Sequence, residues 1–126
     1  MNTPFLEGDY IYGTCSYGQL RCVKISNGER VWETFKATTA GEPVRWANAF
    51  IVKNGNRFFL FNEKGDLIIA KLSPAGYDEV SRAHLLEPTS DAAGRAVLWS
   101  HPAFANRSIY LRNDHEIACF SLSAAH

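Results

Sequence analysis

Residues 10–33, YIYGTCSYGQLRCVKISNGERVWE, contain three short strand-like runs separated by two turns that carry glycine. The middle run, residues 19–25, alternates polar and apolar side chains, which is the period of a half-buried strand. Gly18 closes the first turn and Asn27-Gly28 forms the second, because both residue types tolerate a positive φ angle. The stretch therefore predicts antiparallel strands joined by tight hairpins.

The same hairpin pattern occurs three times along the chain. Paired apolar residues open it at Ile11, Phe58 and Ile109, and a turn and an alternating strand follow each pair. Gly18 and Gly65 occupy equivalent turns in the first two repeats. The number of residues between them falls within the ~40–50 residues that a four-stranded propeller blade occupies. The repeat therefore predicts β-propeller blades, each an antiparallel meander.

Each repeat divides into candidate strands. Blade 1 spans residues 3–36, with predicted strands at 4–7, 10–15, 19–25 and 30–35. Blade 2 spans residues 47–85, with predicted strands at 49–53, 57–62, 66–72 and 78–84. Blade 3 spans residues 101–124, with predicted strands at 103–105, 108–113 and 116–122. The predicted fold class is all-β, with about three four-stranded antiparallel blades, the last lacking its outer strand, in a single partial propeller domain over residues 1–126.

Residues 58–61 and 67–70 are apolar without alternation. A strand that is apolar on both faces is typical of a sheet covered on both sides. We therefore expect blade 2 to be packed between its two neighbours. Three blades would leave the outer faces of blades 1 and 3 uncovered, which predicts either self-association into a ring or packing against the missing blades of a longer chain.

The two segments between blades, residues 36–48 and 85–102, are predicted to be long loops. We expect both to lie on the face that carries the second hairpin turn of each blade, and loops of this kind often carry function. This face would gather Tyr17, Arg45, Trp46, Lys64, Trp99, His101 and His115. The candidate ligand-binding residues are Tyr17, Arg45, Trp46, Trp99 and His101. Each also has a structural interpretation: the two tryptophans could fill seams between blades, Arg45 could be partnered or solvated, and the histidines could stabilise turns.

Composition sets outer limits on function. Thirteen basic and thirteen acidic residues cancel, so no basic face indicates nucleic-acid binding. No apolar run approaches the ~20 residues that span a bilayer, and the N-terminus lacks the pattern of a signal peptide. Three cysteines are too few and too widely spaced for a zinc site, and the four histidines do not supply ligand spacing. A bridge between Cys15 and Cys22 is conceivable across their hairpin, and small buried side chains are the alternative.

Residues 22–32, CVKISNGERVW, resemble the repeat signature of the quinoprotein-like (PQQ-repeat) β-propellers. The match is carried by Gly28, Arg30 and Trp32, whereas Cys22 stands where the family pattern has Ala. The whole chain resembles the C-terminal end of uncharacterised bacterial proteins of this group. The resemblance implies that Trp32 packs between blades with its indole N–H on a backbone carbonyl, and it suggests a periplasmic or extracellular location. The structural repeat residues are Gly18, Gly28, Trp32 and Gly65.

Three functions are compatible with this sequence. The first is a non-catalytic propeller module that binds a partner or scaffolds an assembly. The second is the C-terminal part of a PQQ-dependent quinoprotein dehydrogenase, for which PQQ would bind only in a complete ring. The third is a small-ligand or glycan binder that uses Tyr17, Trp46 and Trp99 as stacking platforms. Neither an adjacent cysteine pair nor a spacing between nucleophile and base is present, so we predict no catalytic residue, no metal site and no cofactor.

Overall fold

The computed structural model describes residues 3–123, in which thirteen β-strands and no helix are found. The first sheet contains β1 (Phe5–Glu7), β2 (Tyr10–Thr14), β3 (Leu20–Lys24) and β4 (Arg30–Thr34). The second contains β5 (Ala49–Asn54), β6 (Arg57–Asn62), β7 (Asp66–Ser73) and β8 (Gly76–His84). A short hairpin, β9 (Ser90–Ala92) and β10 (Arg95–Val97), precedes the third sheet, β11 (Ala103–Ala105), β12 (Ser108–Arg112) and β13 (Ile117–Ser121).

Each sheet is a meander in which every strand pairs antiparallel with the next one along the chain. The eleven strands of the three main sheets begin and end within two residues of their predicted bounds. The first two sheets also share a register irregularity between their third and fourth strands, at Cys22/Val23 and at Ile69/Ala70. The predicted all-β fold class of antiparallel blades is therefore confirmed. Residues 1, 2 and 124–126, which include the ends of the predicted domain and of blade 3, lie outside the described part of the chain.

Blades 1 and 2 meet at a first hydrophobic core. Phe58 of β6 is buried there, with its ring 5.2 Å from Phe5 in an edge-to-face arrangement and 5.9 Å from Tyr12. The indole N–H of Trp32 crosses the same seam and donates to the carbonyl of Ser73 at 2.7 Å. The contact implied for the repeat tryptophan is thus present, with a polar atom satisfied at the edge of an apolar seam.

Blades 2 and 3 meet at a second hydrophobic core. Phe61 and Leu67 of the central blade pack there with Ile109 of β12. The Phe59 ring stacks on Phe104 at a centroid distance of 4.9 Å. Since neighbouring side chains of a strand point to opposite faces, β6 sends Phe58 to the first core and Phe59 to the second. The prediction that blade 2 is packed between two neighbours is confirmed.

The segment 85–102 differs from its prediction, because it is not a loop throughout. Strands β9 and β10 pair within it as a two-stranded hairpin. Its turn residues Ala93 and Gly94 both have positive φ angles, +51° and +79°, as a tight hairpin of right-handed twist requires. The segment 36–48 contains no strand, as predicted. Within residues 3–123 no helix has the length and apolar character needed to cross a membrane.

Candidate binding face

Two glycine turns fix the position of both connecting segments. Gly65 has φ +88°, and a Cβ atom at this position would lie 1.7 Å from the carbonyl oxygen of Leu86. At Gly18, with φ +91°, a Cβ atom would lie 3.0 Å from Ala47 Cβ and from Thr38 Oγ1. The absence of a side chain therefore lets each connector lie directly on a hairpin turn.

The first connector, residues 36–48, holds Trp46 at the surface. Its backbone follows the β2–β3 turn, where Val44 N donates to Tyr17 O at 2.9 Å and Trp46 N donates to Ser16 O at 2.5 Å. Trp46 has a φ of +62°, which is uncommon for a bulky residue. The Arg45 guanidinium lies over the Trp46 ring, 4.5 Å from its centroid. The backbone bonds and the stacked arginine together limit the movement of this indole.

The second connector, residues 85–102, is held against the β6–β7 turn by the buried carboxylate of Glu63. Arg95 donates to both carboxylate oxygens of Glu63, at 2.6 and 3.0 Å, and the Trp99 indole N–H donates to the same group at 3.1 Å. Leu98 N donates to the backbone carbonyl of Glu63 at 2.8 Å. Glu63 is only 4% exposed. A bidentate, charge-assisted pair of this kind fixes geometry as well as charge, so the Trp99 ring is held in one orientation.

The two tryptophans line one cleft of ≈ 600 Å³. Trp46 is 52% exposed and Trp99 is 39% exposed. The other lining residues come from the end of β2, from the β2–β3 turn and from the first connector: Thr14, Cys15, Ser16, Ala47 and Asn48. Asn48 is 9% exposed, and its Oδ1 atom is buried with no hydrogen-bond partner among residues 3–123. The cleft therefore combines two fixed aromatic platforms with one unpaired acceptor.

The structure brings some of the predicted site residues together and separates others. Trp46 and Trp99 share the cleft, and Arg45 lies over one of its walls. Tyr17 is exposed beside Ser16 without lining the cleft, and it contributes its carbonyl to the first connector. His101 lies apart, with Nδ1 2.8 Å from the carbonyl of Pro102 and its ring 4.7 Å from Phe50.

The interpretation of the two tryptophans as fillers of the seams is wrong. Both indoles are partly solvent-exposed at the face that carries the second hairpin turns and the connectors, called the loop face below. The two seams are filled by residues such as Phe58 and Phe61. His115 occupies the β12–β13 turn and donates its backbone N–H to Asn113 Oδ1 at 2.9 Å.

Sequence reasoning missed three residues of the site: Asn48, Glu63 and Arg95. Asn48 follows the Trp46-Ala47 pair and carried no signal of its own. Glu63 precedes Lys64-Gly65 in a hairpin turn, where a solvated carboxylate is the ordinary interpretation. Its partner Arg95 is far away along the chain and in a segment predicted to be a loop, so no local pattern revealed the pair.

One solved structure with the same arrangement is BamB from Moraxella catarrhalis. It aligns with 98% of this chain at a TM-score of 0.56 and 15% sequence identity. The fold is that of β-propeller blades. The aligned part is 34% of the BamB chain, so this chain spans about a third of the length of that protein. No protein-family model and no curated protein matches the sequence, and membership of the PQQ-repeat family stays a prediction.

The outer faces of the two end blades of this propeller segment carry exposed apolar side chains. On blade 1, Leu6, Ile11 and Val23 are in register across three strands, on the side away from the first core. On blade 3, Tyr110 is opposite Cys119, and nearby Ile117 is 79% exposed. These two surfaces are called the end faces below.

Charged and thiol groups near the blades form no metal site in the part of the chain that the structure describes. Within residues 3–123, no three His, Cys, Asp or Glu side chains are grouped so that they could hold an ion. Cys15, Cys22 and Cys119 are free thiols, so the conceivable bridge between Cys15 and Cys22 is not formed. Cys22 is buried in the first core, where it is in register with Tyr12 and Trp32.

Proposed function

We propose that this chain is a non-catalytic β-propeller module that scaffolds an assembly by packing its end faces against further blades. The proposal rests on a difference between the blades in the number of hydrophobic cores to which each contributes. The central blade contributes to two cores, whereas each end blade contributes to one. Covering an apolar side chain such as Leu6 or Ile117 contributes roughly 1.5–3 kcal/mol, so the end faces favour association.

The groups at the loop face favour binding over catalysis. Glu63 is the buried carboxylate of this face, and its two oxygens are engaged by Arg95 and Trp99. A carboxylate with its acceptor sites occupied by permanent donors serves to hold structure, not to remove a proton from a substrate. The alternative of a PQQ-dependent dehydrogenase stays a prediction, since PQQ would bind only in a complete ring.

The partner we propose first is a second copy of the chain. Two units of three blades would give six, which lies within the roughly 4–8 blades of closed propellers. The alternative is that further blades belong to one longer polypeptide, as in BamB, where the aligned part is a third of the chain. In both cases the apolar rows of the end faces would be covered by another blade.

Light scattering across a range of concentrations tests this proposal. We expect a species of twice the 14.1 kDa protomer or another small multiple. Ile117→Asp should shift the chain towards the monomer, because it places a charge on an end face. Val80→Asp is the matched control, since Val80 is an exposed apolar residue on the outer strand of the central blade. A monomer at every concentration that binds a hydrophobic dye would overturn self-association and leave blades of a longer chain as the partner, whereas a monomer that binds no dye would overturn the packing role of the end faces.

A further inference from the structure

We infer that the Trp46–Trp99 cleft binds an extended segment of a partner polypeptide, which inserts an apolar side chain between the indoles and carries an acidic residue beside it. This inference goes beyond the scaffold proposal, because the cleft is on the loop face and not on either end face. Each of the two proposals can therefore be tested independently of the other.

Both indoles are held in place before any ligand arrives. The Trp99 indole N–H donates to Glu63, and Arg95 holds that carboxylate through two further hydrogen bonds. The Trp46 backbone is held by its bond to Ser16, and the guanidinium of Arg45 lies over its ring. Exposed tryptophan beside arginine is the composition of binding hot spots in protein interfaces, and a rigid platform loses little entropy on binding.

The unpaired acceptor indicates what the ligand must donate. Asn48 lines the cleft, and its Oδ1 atom is buried without a hydrogen-bond partner in residues 3–123. A buried acceptor without a partner is unfavourable, so a ligand donor that reaches Oδ1 when the Asn48 side chain turns towards the cleft gains affinity. The backbone N–H groups of an extended peptide are donors of this kind, and they are available beside each side chain.

The charge of the cleft indicates the sign of the charge that the ligand should carry. Arg45 is exposed, and no carboxylate among residues 3–123 lies within ion-pair distance of it. Guanidinium groups lie over both indoles, Arg45 over Trp46 and Arg95 over Trp99 at 5.9 Å. The charge of Arg95 is balanced by Glu63, so it is the unpaired charge of Arg45 that disfavours a cationic ligand and favours an acidic residue in the segment. A neutral sugar would stack on the indoles but would leave Arg45 without a counter-charge.

The three tryptophans supply a built-in control for the experiment. We propose to titrate the blocked tripeptide acetyl-Leu-Asp-Leu-amide into the ¹⁵N-labelled chain and to follow the indole N–H signals by NMR. The signals of Trp46 and Trp99 should shift, while that of Trp32, whose N–H is bound to Ser73 in the first seam, should stay constant. Trp46→Ala should abolish the shift of Trp99.

Two further variants test the recognition chemistry. Arg45→Ala should weaken binding of both peptides, because the arginine also supports the Trp46 ring, but it should weaken the acidic peptide several-fold more than acetyl-Leu-Asn-Leu-amide. Asn48→Leu should weaken both peptides, and Val80→Ala should affect neither. The inference is overturned if neither peptide shifts the two indole signals at millimolar concentration, if Trp32 moves together with them, or if cellobiose produces the shifts and the peptides do not. The last result would assign the cleft to sugars.

Discussion

The central blade and the first blade are built from the same four-stranded meander, yet they use their faces differently. On β6 the side chains of Phe58 and Leu60 are buried in one core and that of Phe61 in the other. On blade 1 only the side of the sheet that carries Tyr12 and Leu20 faces a core, whereas Leu6 on the other side is exposed. Because each blade of a repeat array contacts only its neighbours, burial is determined by position in the array as well as by local sequence. Stability should therefore depend most on the central blade.

The largest expected effect comes from truncating a central side chain. Phe58→Ala removes a buried ring that contacts both Phe5 and Tyr12, and it should lower the free energy of unfolding by about 3–5 kcal/mol. Ile117→Ala on an end face should lower it by less than about 0.5 kcal/mol at concentrations where the chain is monomeric. Urea unfolding followed by tryptophan fluorescence measures both. Equal losses in the two variants would contradict the assignment of the central blade as the stability core.

The blades could be predicted from the sequence because their signals are local. Strand alternation, the Asn27-Gly28 turn and the apolar run at residues 58–61 are local patterns, and each determines its own hairpin or face. The β9–β10 hairpin has no such signal. Its strands have three residues each, and its turn uses Ala93 at a positive φ instead of the usual Asn or Asp. Contacts distant along the chain hold it, including Ser90 Oγ to Asp114 Oδ2 at 2.7 Å.

The candidate site was predictable in its residue types but not in its geometry. The sequence predicts Trp46 and Trp99 on the face of the long loops, either as ligand-binding residues or as fillers of the seams, and both line the cleft. Their fixed orientation depends on groups that sequence reasoning did not connect. Glu63 is buried only because the second connector places Arg95 and Trp99 against it. A turn carboxylate becomes a structural anchor through tertiary contacts, and no spacing rule along the chain expresses this.

An intermediate loss of stability is expected when the Glu63–Arg95 pair is broken. Arg95→Ala would leave the Glu63 carboxylate buried with only the Trp99 N–H as a side-chain donor. Arg95 is 23% exposed, so the loss should be about 2–3 kcal/mol, below the roughly 3–5 kcal/mol of a fully buried pair. The matched end-blade variant is Arg21→Ala, which breaks the more exposed pair with Glu33 and should cost no more than about 1 kcal/mol. Urea unfolding measures both, and a smaller loss for Arg95→Ala than for Arg21→Ala would contradict the role of the anchor.

The smallest expected effect is a pH dependence at the edge of the central blade. His84 Nδ1 lies 2.8 Å from Asp66 Oδ1, and Nε2 lies 2.6 Å from Glu87 Oε1. The hydrogen bond to Asp66 and then that to Glu87 raise the pKa of His84 above its ordinary value of 6.5. Arg82 also faces Asp66, at 3.4 Å. Because the folded pKa is the higher one, protonation of His84 stabilises the fold fully below pH 6.5, and this contribution is lost as the pH rises through the folded pKa.

Thermal unfolding at about pH 5.5 and about pH 8.5 measures this contribution. His84→Gln should lower Tm at the acidic pH and leave it nearly unchanged at the alkaline one. His84 is about half exposed, so the difference should be small and should shrink further in high salt. His115→Gln on the end blade is the control, because no carboxylate among residues 3–123 lies within ion-pair distance of His115. If His115→Gln changed the pH profile as much as His84→Gln, or if His84→Gln lowered Tm only at the alkaline pH, the two carboxylate contacts of His84 would not be the cause of the pH dependence.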